Sequence, residues 1–426
     1  MASIASPISL PTAKPRDRAS AVIARRLLDP ARSHRASKAV FDLCLLTGLF
    51  VYVGFPLSLK VLSARAKRNG RHLATDASVV GVPRARVTVV IPAKDEALHI
   101  GTKVDDTFAN GYSTDLLDVL VVDDGSSDET GAIAARHGAR VVRNEVGLGK
   151  CGAINMGVAA AGDDTDLIVI TDANGMLSQG SITLVADALA DPDVALVSGA
   201  KDPVGDGAHG MGERIYWLLE TGVRQDLGAM GCLDSADGSI YGFRKSWFEP
   251  IPDDIINDDF YLAIKALDGG HKVGHAEGAH ATEEVSETAS QEFQRRTRCS
   301  AGVWQTSGRF VHLAHPRHGR VAYAFIGHRL LRSIIMPCLL PLLLVSSIVL
   351  RRDPLAKVVL AGQVFVYGAA GAGALSSHPA LGAPFQFGML NAASLRGGWR
   401  VVRRSQQVAW DRIPRGAASV PDEAVP

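Results

Sequence analysis

The stretch "LLDVLVVDDGSSDET", residues 116–130, determines the fold expected of this chain. An apolar run ends on two carboxylates, Asp123 and Asp124, and a Gly-Ser-Ser turn follows at once. Strands of a sheet that is buried on both faces have such continuous apolar runs. Ligands of open α/β sheets bind beyond the carboxyl ends of the strands. The stretch therefore predicts a buried strand that ends at a binding site.

Similar apolar runs alternate with helix-like stretches across residues 86–310. Stretches such as "TGAIAARHG" and "CGAINMGVAAA" separate the runs, as helices do in an α/β fold. This alternation predicts an α/β domain with helices on both faces of its sheet. The predicted strands are residues 86–92, 117–124, 139–144, 166–172 and 194–199.

Long apolar stretches flank this domain and predict membrane helices. Residues 38–63 exceed the roughly 20 apolar residues that cross a bilayer. A C-terminal membrane region is predicted over residues 328–398, with spans at 330–350 and 355–375. A weaker stretch follows them, for which both a span and an interfacial helix stay open.

Basic segments lie at both ends of the chain. Residues 1–37 are rich in Ser, Ala, Pro and Arg and are predicted to be a disordered tail, and residues 399–426 form a second basic tail. Basic flanks favour the cytoplasmic side of a membrane. We therefore expect an integral membrane protein with its α/β domain in the cytoplasm.

The composition argues against two other classes of protein. Lys and Arg number 45 and Asp and Glu number 44, so the net charge of +1 does not favour a nucleic-acid partner. The five cysteines are odd in number and lack CxxC spacing, which disfavours a disulfide framework or a structural zinc site.

Acidic residues occur at three places where a predicted strand ends or a helix begins. They are Asp123 with Asp124, Asp172 in "ITDANG", and Asp258 with Asp259 in "NDDFYL". One such site is often only a turn or a helix cap, but three within one domain favour a ligand site. Carboxylates bind divalent cations that also hold diphosphate oxygens, and a further carboxylate serves as a general base. The pattern predicts metal-assisted group transfer from a nucleotide.

The ordered segments "VVIPAKDE", "VVDDGSSDET", "GKCGAIN", "ITDANG", "NDDFYLAI" and "QRRTR" resemble a family 2 glycosyltransferase with the GT-A fold. The resemblance covers residues 86–310. It is strongest to the membrane-embedded bacterial branch related to cellulose, hyaluronan and poly-N-acetylglucosamine synthases. It implies a GT-A domain with flanking transmembrane helices.

The resemblance implies a role for each matching residue. Asp259 corresponds to the general base, and Asp172 with Asn174 corresponds to the metal site, for Mg²⁺ or Mn²⁺. Asp124 corresponds to the acid that recognises the uracil or ribose. The residues implied for the nucleotide sugar are Pro92, Glu96, Asp123, Asp124, Lys150 and Asp172. Those implied for the acceptor or the leaving diphosphate are Asp237, Gly238, Asp258, Gln294, Arg295 and Arg298.

Three positions depart from the pattern of that family. Asn174 replaces the second acid of the metal motif, and Cys299 replaces a tryptophan that stacks on the growing glycan in processive synthases. Gln294 and Arg298 are one residue further apart than in the matching motif. These departures bear on metal affinity and on processivity.

We expect an inverting, metal-dependent transferase that uses a nucleotide sugar, a UDP-sugar by resemblance. Its partners would be membrane lipid and a polysaccharide or lipid-linked acceptor. Two alternatives stay open. A nucleotidyltransferase would need a Gly-rich basic loop after its first strand, which "IPAKDEALHI" does not supply. A catalytically inactive membrane scaffold would explain Asn174 and Cys299. Tyr216 and Trp217 are predicted to be core residues of a helix, with a position that faces the acceptor as the alternative.

Overall fold

The computed structural model describes residues 30–69, 85–205, 207–284, 288–376 and 378–406. These residues form two compact units. The first contains residues 30–47 and 339–364, and the second contains the other described residues.

Eight strands in the described part of the second unit form one mixed sheet, in the order β3-β2-β1-β4-β7-β6-β8-β5. The α/β prediction is therefore confirmed. The strands are β1 (Val87–Ala93), β2 (Leu117–Asp123), β3 (Arg140–Arg143), β4 (Leu167–Thr171), β5 (Met176–Leu177), β6 (Val194–Val204), β7 (Ile240–Arg244) and β8 (Lys272–Glu284).

Strands β1 to β4 run parallel, so their carboxyl ends meet at one edge of the sheet. Strand β7 lies antiparallel between β4 and β6. The five predicted strands are confirmed to within a residue, except that β6 continues to Val204. The sequence did not reveal β7, which is short and contains a glycine, or β8, in which polar residues interrupt the apolar pattern.

Helices cover both faces of this sheet. On one face, Val90, Leu120 and Ile170 pack with Ile154 in a large apolar core. On the other face, Val89, Val119 and Val169 belong to a second core. The helices of this region are α3 (Ile100–Phe108), α4 (Thr130–Arg136), α5 (Gly149–Ala160), α6 (Ser181–Ala188), α7 (Gly207–Ala229), α8 (Asp258–Asp268) and α9 (Ala289–Arg309).

Further helices lie before and after this region. At the N-terminal side, α1 (Pro30–Leu49) and α2 (Phe55–Arg68) are joined by a π-helical segment, Phe50–Gly54. After the sheet, a second and longer π-helical segment, Phe325–Ile335, connects two α-helices. The C-terminal helices are α10 (Arg320–Ala324), α11 (Met336–Val349), α12 (Pro354–Leu375) and α13 (Gly382–Val402).

The first unit has a small apolar core of its own. Phe41, Cys44, Leu343, Leu350 and Ala356 are buried together there. Many other large apolar side chains on its helices are exposed.

Three helical stretches among the described residues are long and apolar enough to cross a membrane: His34–Arg68, Arg320–Val349 and Pro354–Leu375. The first extends the helix predicted at 38–63 in both directions. The prediction that residues 1–37 are a disordered tail is wrong for residues 30–37, which are helical. A proline is tolerated in the first turn of a helix, and neither Gly nor Pro interrupts the residues that follow it here. Residues 1–29 lie outside the described residues.

Helix α13 contains the weaker third stretch and packs on α9 and α7. A Cβ at Gly397 would lie 2.7 Å from the backbone nitrogen of Ala301, so only glycine permits this close approach. Gln386 donates to Glu213 of α7, with Nε2 and Oε1 separated by 2.9 Å. This helix is not among the three candidate spans. Of the predicted tail at 399–426, residues 399–402 belong to α13 and residues 407–426 lie outside the described part.

Candidate active site

A cavity of about 630 Å³ lies within the second unit, beyond the carboxyl ends of β1 and β4. Helices α7, α8, α9 and α13 and the longer π-helical segment also contribute to its wall, as do β6, β8 and the segment before β7. Most residues predicted for the site line this cavity: Pro92, Glu96, Lys150, Asp172, Asn174, Asp237, Gly238, Asp258, Asp259, Arg295 and Arg298.

Lys150 joins the acidic residues of the cavity. Its Nζ lies 2.7 Å from Asp172 Oδ1, 3.3 Å from the carbonyl oxygen of Gly238 and 3.8 Å from Asp258 Oδ2. Burial lowers the pKa of Lys150, but the charges of Asp172 and Asp258 outweigh that effect, so its pKa is raised. The ammonium is therefore a fixed positive charge among these carboxylates.

Asp258 and Asp259 open helix α8, where negative charge is stabilised by the helix dipole. Asp258 is buried and accepts a hydrogen bond from the Tyr241 hydroxyl at 2.7 Å. Burial and the charge of Asp258 raise the pKa of Asp259 to about 7, and Lys150 opposes that rise. A carboxylate with a pKa near neutrality is suited to general base catalysis.

The segment before β7 brings Asp237 and Gly238 beside the same groups. A Cβ at Gly238 would lie 3.2 Å from Lys150 Nζ and 3.5 Å from Asp259 Oδ2. Asp237 Oδ1 accepts from the backbone of Ser239 at 3.0 Å. Asp237 Oδ2 is buried and has no hydrogen-bond partner in the described part of the chain. An unsatisfied buried acceptor that faces a cavity favours a polar ligand there.

Asp172 and Asn174 supply two oxygen donors at the end of β4. Among the described residues, no cluster of three or more His, Cys, Asp or Glu side chains could hold a metal ion. A carboxylate and an amide oxygen suit a hard cation whose other ligands are substrate oxygens and water. These two oxygen ligands therefore fit Mg²⁺ or Mn²⁺ if the cation takes its other ligands from a diphosphate and water.

A buried lysine supports the turn that carries these donors. Lys103 of α3 donates a short hydrogen bond to the carbonyl of Gly175, and its Nζ lies 3.7 Å from Asp106 Oδ2. Burial lowers the pKa of Lys103 to about 8. Lys103 was not predicted from the sequence, because a lysine in a helix is usually exposed to solvent.

Asp123 and Asp124 do not line the cavity, which differs from the prediction that they bind the nucleotide sugar. Asp124 is fully buried and accepts three hydrogen bonds, from Asn144 Nδ2 at 2.8 Å and from the backbone nitrogens of Leu148 and Gly149 at 2.7 Å each. Asp123 accepts from the backbone of Ser126 and from Arg143. Both carboxylates hold loops in place, because internal donors occupy their oxygens.

Helix α9 carries the arginines of the "QRRTR" motif. A capping box at Thr288 and Gln291 fixes the start of this helix. Arg295 and Arg298 face the cavity, and Arg298 Nε is buried without a partner in the described structure. Gln294 is exposed and does not line the cavity, because it projects from another face of the helix. The predicted contact from Gln294 is therefore corrected.

Further residues line the cavity that were not predicted for it. Tyr216 and Trp217 line it instead of filling a helix core. The others include Lys94, His99, Lys201, Arg224, Glu283, Arg296, His328, Arg329 and Arg332. Two of these residues could have been predicted from the sequence. Arg329 and Arg332 interrupt an apolar stretch that is long enough to span a membrane, and charged residues in such stretches are usually functional.

Comparison with known proteins agrees with this geometry. The sequence pattern of the family described as Glycosyl transferase family 2 matches residues 88–251. An uncharacterised glycosyltransferase of Mycobacterium tuberculosis is 37% identical over 118 residues, which cover 28% of this chain and 50% of that protein. An uncharacterised protein of Methanocaldococcus jannaschii is 35% identical over 95 residues, or 22% of this chain and 37% of that protein. The chain thus spans about half or less of these relatives.

The fold is also similar to a solved structure. A mannosyltransferase from Pyrobaculum calidifontis, in complex with GDP-Man and Mn²⁺, aligns with a TM-score of 0.65 and 20% sequence identity. The alignment covers 86% of this chain and 100% of that one. At this identity the similarity establishes the GT-A fold.

Proposed function

We infer, from the premise that residues 88–251 form a family 2 glycosyltransferase domain, that this chain transfers a sugar from a nucleotide sugar to an acceptor at a membrane. The observation that carries this proposal is the grouping of Asp172, Lys150 and Asp259 in one cavity. Lys150 would supply a positive charge for the diphosphate, and Asp259 would supply a base whose pKa is near neutrality.

The donor would bind at the carboxyl ends of β1 and β4. Lys150 and Arg298 would contact the diphosphate, and Pro92 and Glu96 would lie beside the nucleoside. The Arg298 side chain supports this role, because its buried Nε has no partner in the described structure. Asp172 and Asn174 would hold a divalent cation, which offsets negative charge on the diphosphate when it is bound. UDP-sugars are the first donors to test.

Asp259 would act as the general base. It removes the proton from an acceptor hydroxyl, and that oxygen attacks the anomeric carbon as the bond to the diphosphate breaks. Attack from the face opposite the diphosphate inverts the anomeric configuration. The leaving diphosphate takes the electron pair, and Lys150 and Arg298 stabilise its charge. Asp237 and Gly238 lie beside Asp259 and would contact the acceptor or the transferred sugar.

The reaction would take place at a membrane surface. The three candidate spans support this location and a relation to the membrane-embedded branch of the family. The basic flanks of those spans favour a cytoplasmic catalytic domain. The resemblance to the bacterial branch favours a bacterial-type plasma membrane. The acceptor would then be a polysaccharide or a lipid-linked glycan.

A panel of radiolabelled UDP- and GDP-sugars tests the proposal. Membranes that contain the protein are incubated with each donor and Mn²⁺ or Mg²⁺, and the products are sized. We expect one donor to label a membrane-associated product in the wild type and not in Asp259→Asn. A ladder of products indicates a polysaccharide acceptor, and a single addition indicates a glycolipid. Absence of label with every donor, or equal label in Asp259→Asn, would refute the catalytic assignment and favour a scaffold.

A further inference from the structure

We propose that the arginine-rich half of the cavity binds a phosphoryl group carried by the acceptor. This half is defined by Arg224, Arg295, Arg296, Arg329 and Arg332, which all line the cavity. The inference rests on the proposed function, because it identifies the chemical class of the acceptor for the same reaction.

A continuous hydrogen-bonded network begins at Arg224 of α7. Its Nη1 donates to Ser235 Oγ at 3.2 Å and its Nη2 to Ser198 Oγ at 2.8 Å. Arg329 donates to the same Ser235 hydroxyl and forms a bidentate pair with Asp234, with both N–O distances at 3.1 Å. The two guanidinium groups therefore meet at one hydroxyl group.

The network continues through a histidine. His328 Nδ1 lies 2.8 Å from Asp234 Oδ1, and Nε2 lies 3.1 Å from Glu220 Oε1. Glu220 also accepts from Arg332 at 2.7 Å. His328 therefore lies between Asp234 and Glu220 and connects the two carboxylates that pair with Arg329 and Arg332.

The two acids beside this ring are ionised. Burial raises the pKa of Glu220, but Arg332 and His328 outweigh it, and its pKa lies well below the usual range. Burial likewise raises the pKa of Asp234, but Arg329 and His328 reverse that effect and lower it. Both acids are therefore anions, and each pairs with an arginine.

A second branch lies on helix α9. Arg295 pairs with Glu292, with Nη2 and Oε1 separated by 2.5 Å. Arg296 donates to Glu292 and, through Nη2, to both oxygens of Glu213. Gln386 of α13 donates to the same Glu213 and leaves its own Oε1 buried without a partner in the described structure.

The positive charges of this half outnumber its negative charges. Five arginines face four carboxylates among the described residues, so one positive charge is unmatched. That charge is assigned to Arg224, because its described partners are neutral hydroxyl groups. It is 4% exposed, and its Nε has no partner in the described structure. The carboxylates are Glu213, Glu220, Asp234 and Glu292.

A buried charge without a counter-charge is costly, so the unmatched charge of Arg224 favours an anionic ligand. The other half of the cavity has the opposite balance, with five acids against Lys94, Lys150 and Arg298, while Lys201 and Glu283 pair with each other. That acidic half suits the donor with its cation. A second anion, distinct from the donor diphosphate, therefore matches the arginine-rich half. The five acids are Glu96, Asp172, Asp237, Asp258 and Asp259.

The arginine-rich half adjoins the proposed base. The guanidinium of Arg329 lies 5.0 Å from the centre of the Phe260 ring, and Phe260 follows Asp259 in the chain. The backbone nitrogen of Ala236, next to Ser235, donates to the Asp259 carbonyl at 3.2 Å. An acceptor whose phosphoryl group binds the arginines would thus place a nearby hydroxyl within reach of Asp259.

The lining of this half also includes apolar side chains on helices. Pro337 lies in a candidate span, and Phe387 and Leu390 lie on α13. Leu219 of α7 lines the cavity and is 66% exposed. This apolar margin fits a phosphoryl group attached to a lipid, although a soluble sugar phosphate presents the same charged chemistry.

Three matched acceptors test the proposal with the purified full chain in detergent. They carry one sugar on an isoprenyl diphosphate, the same sugar on a neutral alkyl chain, and the same sugar as a soluble 1-phosphate. We expect kcat/KM for at least one phosphorylated acceptor to exceed that for the neutral one at least tenfold. Preference for the isoprenyl compound identifies a lipid source, and preference for the sugar phosphate identifies a soluble one. Equal use of the neutral acceptor overturns the proposal.

Arg224→Gln and Arg224→Lys then test the site itself. We expect Arg224→Gln to raise KM for the phosphorylated acceptor about tenfold while KM for the donor stays unchanged, and Arg224→Lys to restore part of the loss. The control is Arg309→Gln, since Arg309 lies on α9 and pairs with the exposed Asp254. An equal loss with neutral and phosphorylated acceptors, together with a lowered melting temperature, would mean that Arg224 is only structural.

Hydrolysis of the donor without acceptor separates this inference from the proposed function. If donor hydrolysis and transfer to the neutral acceptor are intact but no phosphoryl preference exists, only this inference fails. If no nucleotide sugar is bound or hydrolysed, the proposed function itself fails.

Discussion

Lys150 Nζ and Asp172 Oδ1 lie 2.7 Å apart at the carboxyl end of the parallel strands. The same ammonium group lies 3.8 Å from Asp258, which opens the helix that carries Asp259. One lysine therefore joins the proposed donor site to the proposed base.

The first prediction concerns Asp259→Asn. We expect kcat to fall about 10²–10⁴-fold, because an amide does not accept the acceptor proton and general base catalysis contributes about that factor. Donor affinity should change little, which isothermal titration with the nucleotide sugar and Mn²⁺ would measure.

Asp253→Asn is the matched control for this change. Asp253 is exposed and lies six positions before Asp259, in a turn rather than in the cavity. It should retain full activity. If Asp259→Asn were as active as this control, Asp259 would not be the base.

The second prediction concerns pH. The pKa of Asp259 is raised to about 7, so the group is protonated and inactive as a base below that pH. We expect kcat/KM to fall about tenfold per pH unit below pH 7 and to level off above it. A profile without this acidic limb, measured at saturating Mn²⁺, would contradict the role of Asp259.

The third prediction links the lysine to that profile. The charge of Lys150 lowers the pKa of Asp259, so Lys150→Met should move the acidic limb to higher pH. Lys150→Arg keeps the charge and should leave the limb nearer to its original position. The comparison is a pH series of kcat/KM for both variants. An unchanged limb in Lys150→Met would show that the two groups are not coupled.

The fourth prediction concerns the metal. Asn174→Asp adds a second carboxylate beside Asp172, and a charged oxygen binds a hard cation more tightly than an amide oxygen. We expect half-maximal activity at a lower Mn²⁺ concentration, and complete loss of activity with excess chelator in both proteins. If Asn174→Asp and wild type respond identically to Mn²⁺, residue 174 does not contact the cation.

The fifth prediction separates a structural role of Asp124 from a role in binding. The two carboxylate oxygens of Asp124 together accept three hydrogen bonds. Asp124→Asn replaces one of these oxygens with an NH₂ group, which donates hydrogen bonds and cannot accept them. We expect the free energy of unfolding to fall by about 1–3 kcal/mol, as is typical when a buried group is left unsatisfied. Thermal unfolding in detergent measures it. A large loss of donor affinity at unchanged stability would instead support a nucleotide contact.

Much of the fold could be predicted from the sequence, because apolar runs report burial directly. Strands β1, β2 and β4 are continuous apolar segments, and their parallel order follows from the helices between them. Strand β8 was missed because its alternating histidines and acids carry no such signal. Helix α13 was ambiguous because its hydropathy is intermediate, and contacts such as Gly397 against Ala301 decide its place.

The candidate site was predictable in part for the same reason. Asp172 follows strand β4, and Asp258 and Asp259 begin helix α8. Folding of the domain brings the three residues together. Asp124 follows the same rule in the sequence, yet its carboxylate is taken up by the loop at residues 144–149. Whether a carboxylate faces a cavity or a loop depends on which donors come near it, and local sequence does not contain that information.

By itself, the sequence determined the α/β domain, the candidate spans and the acids around the proposed reaction, because periodicity and strand ends are local properties. Only the tertiary structure decided that Arg224, Arg329 and Arg332 share one network across more than a hundred residues of chain. Charge balance in a cavity is a sum over groups from distant segments. That sum exists only after the chain has folded.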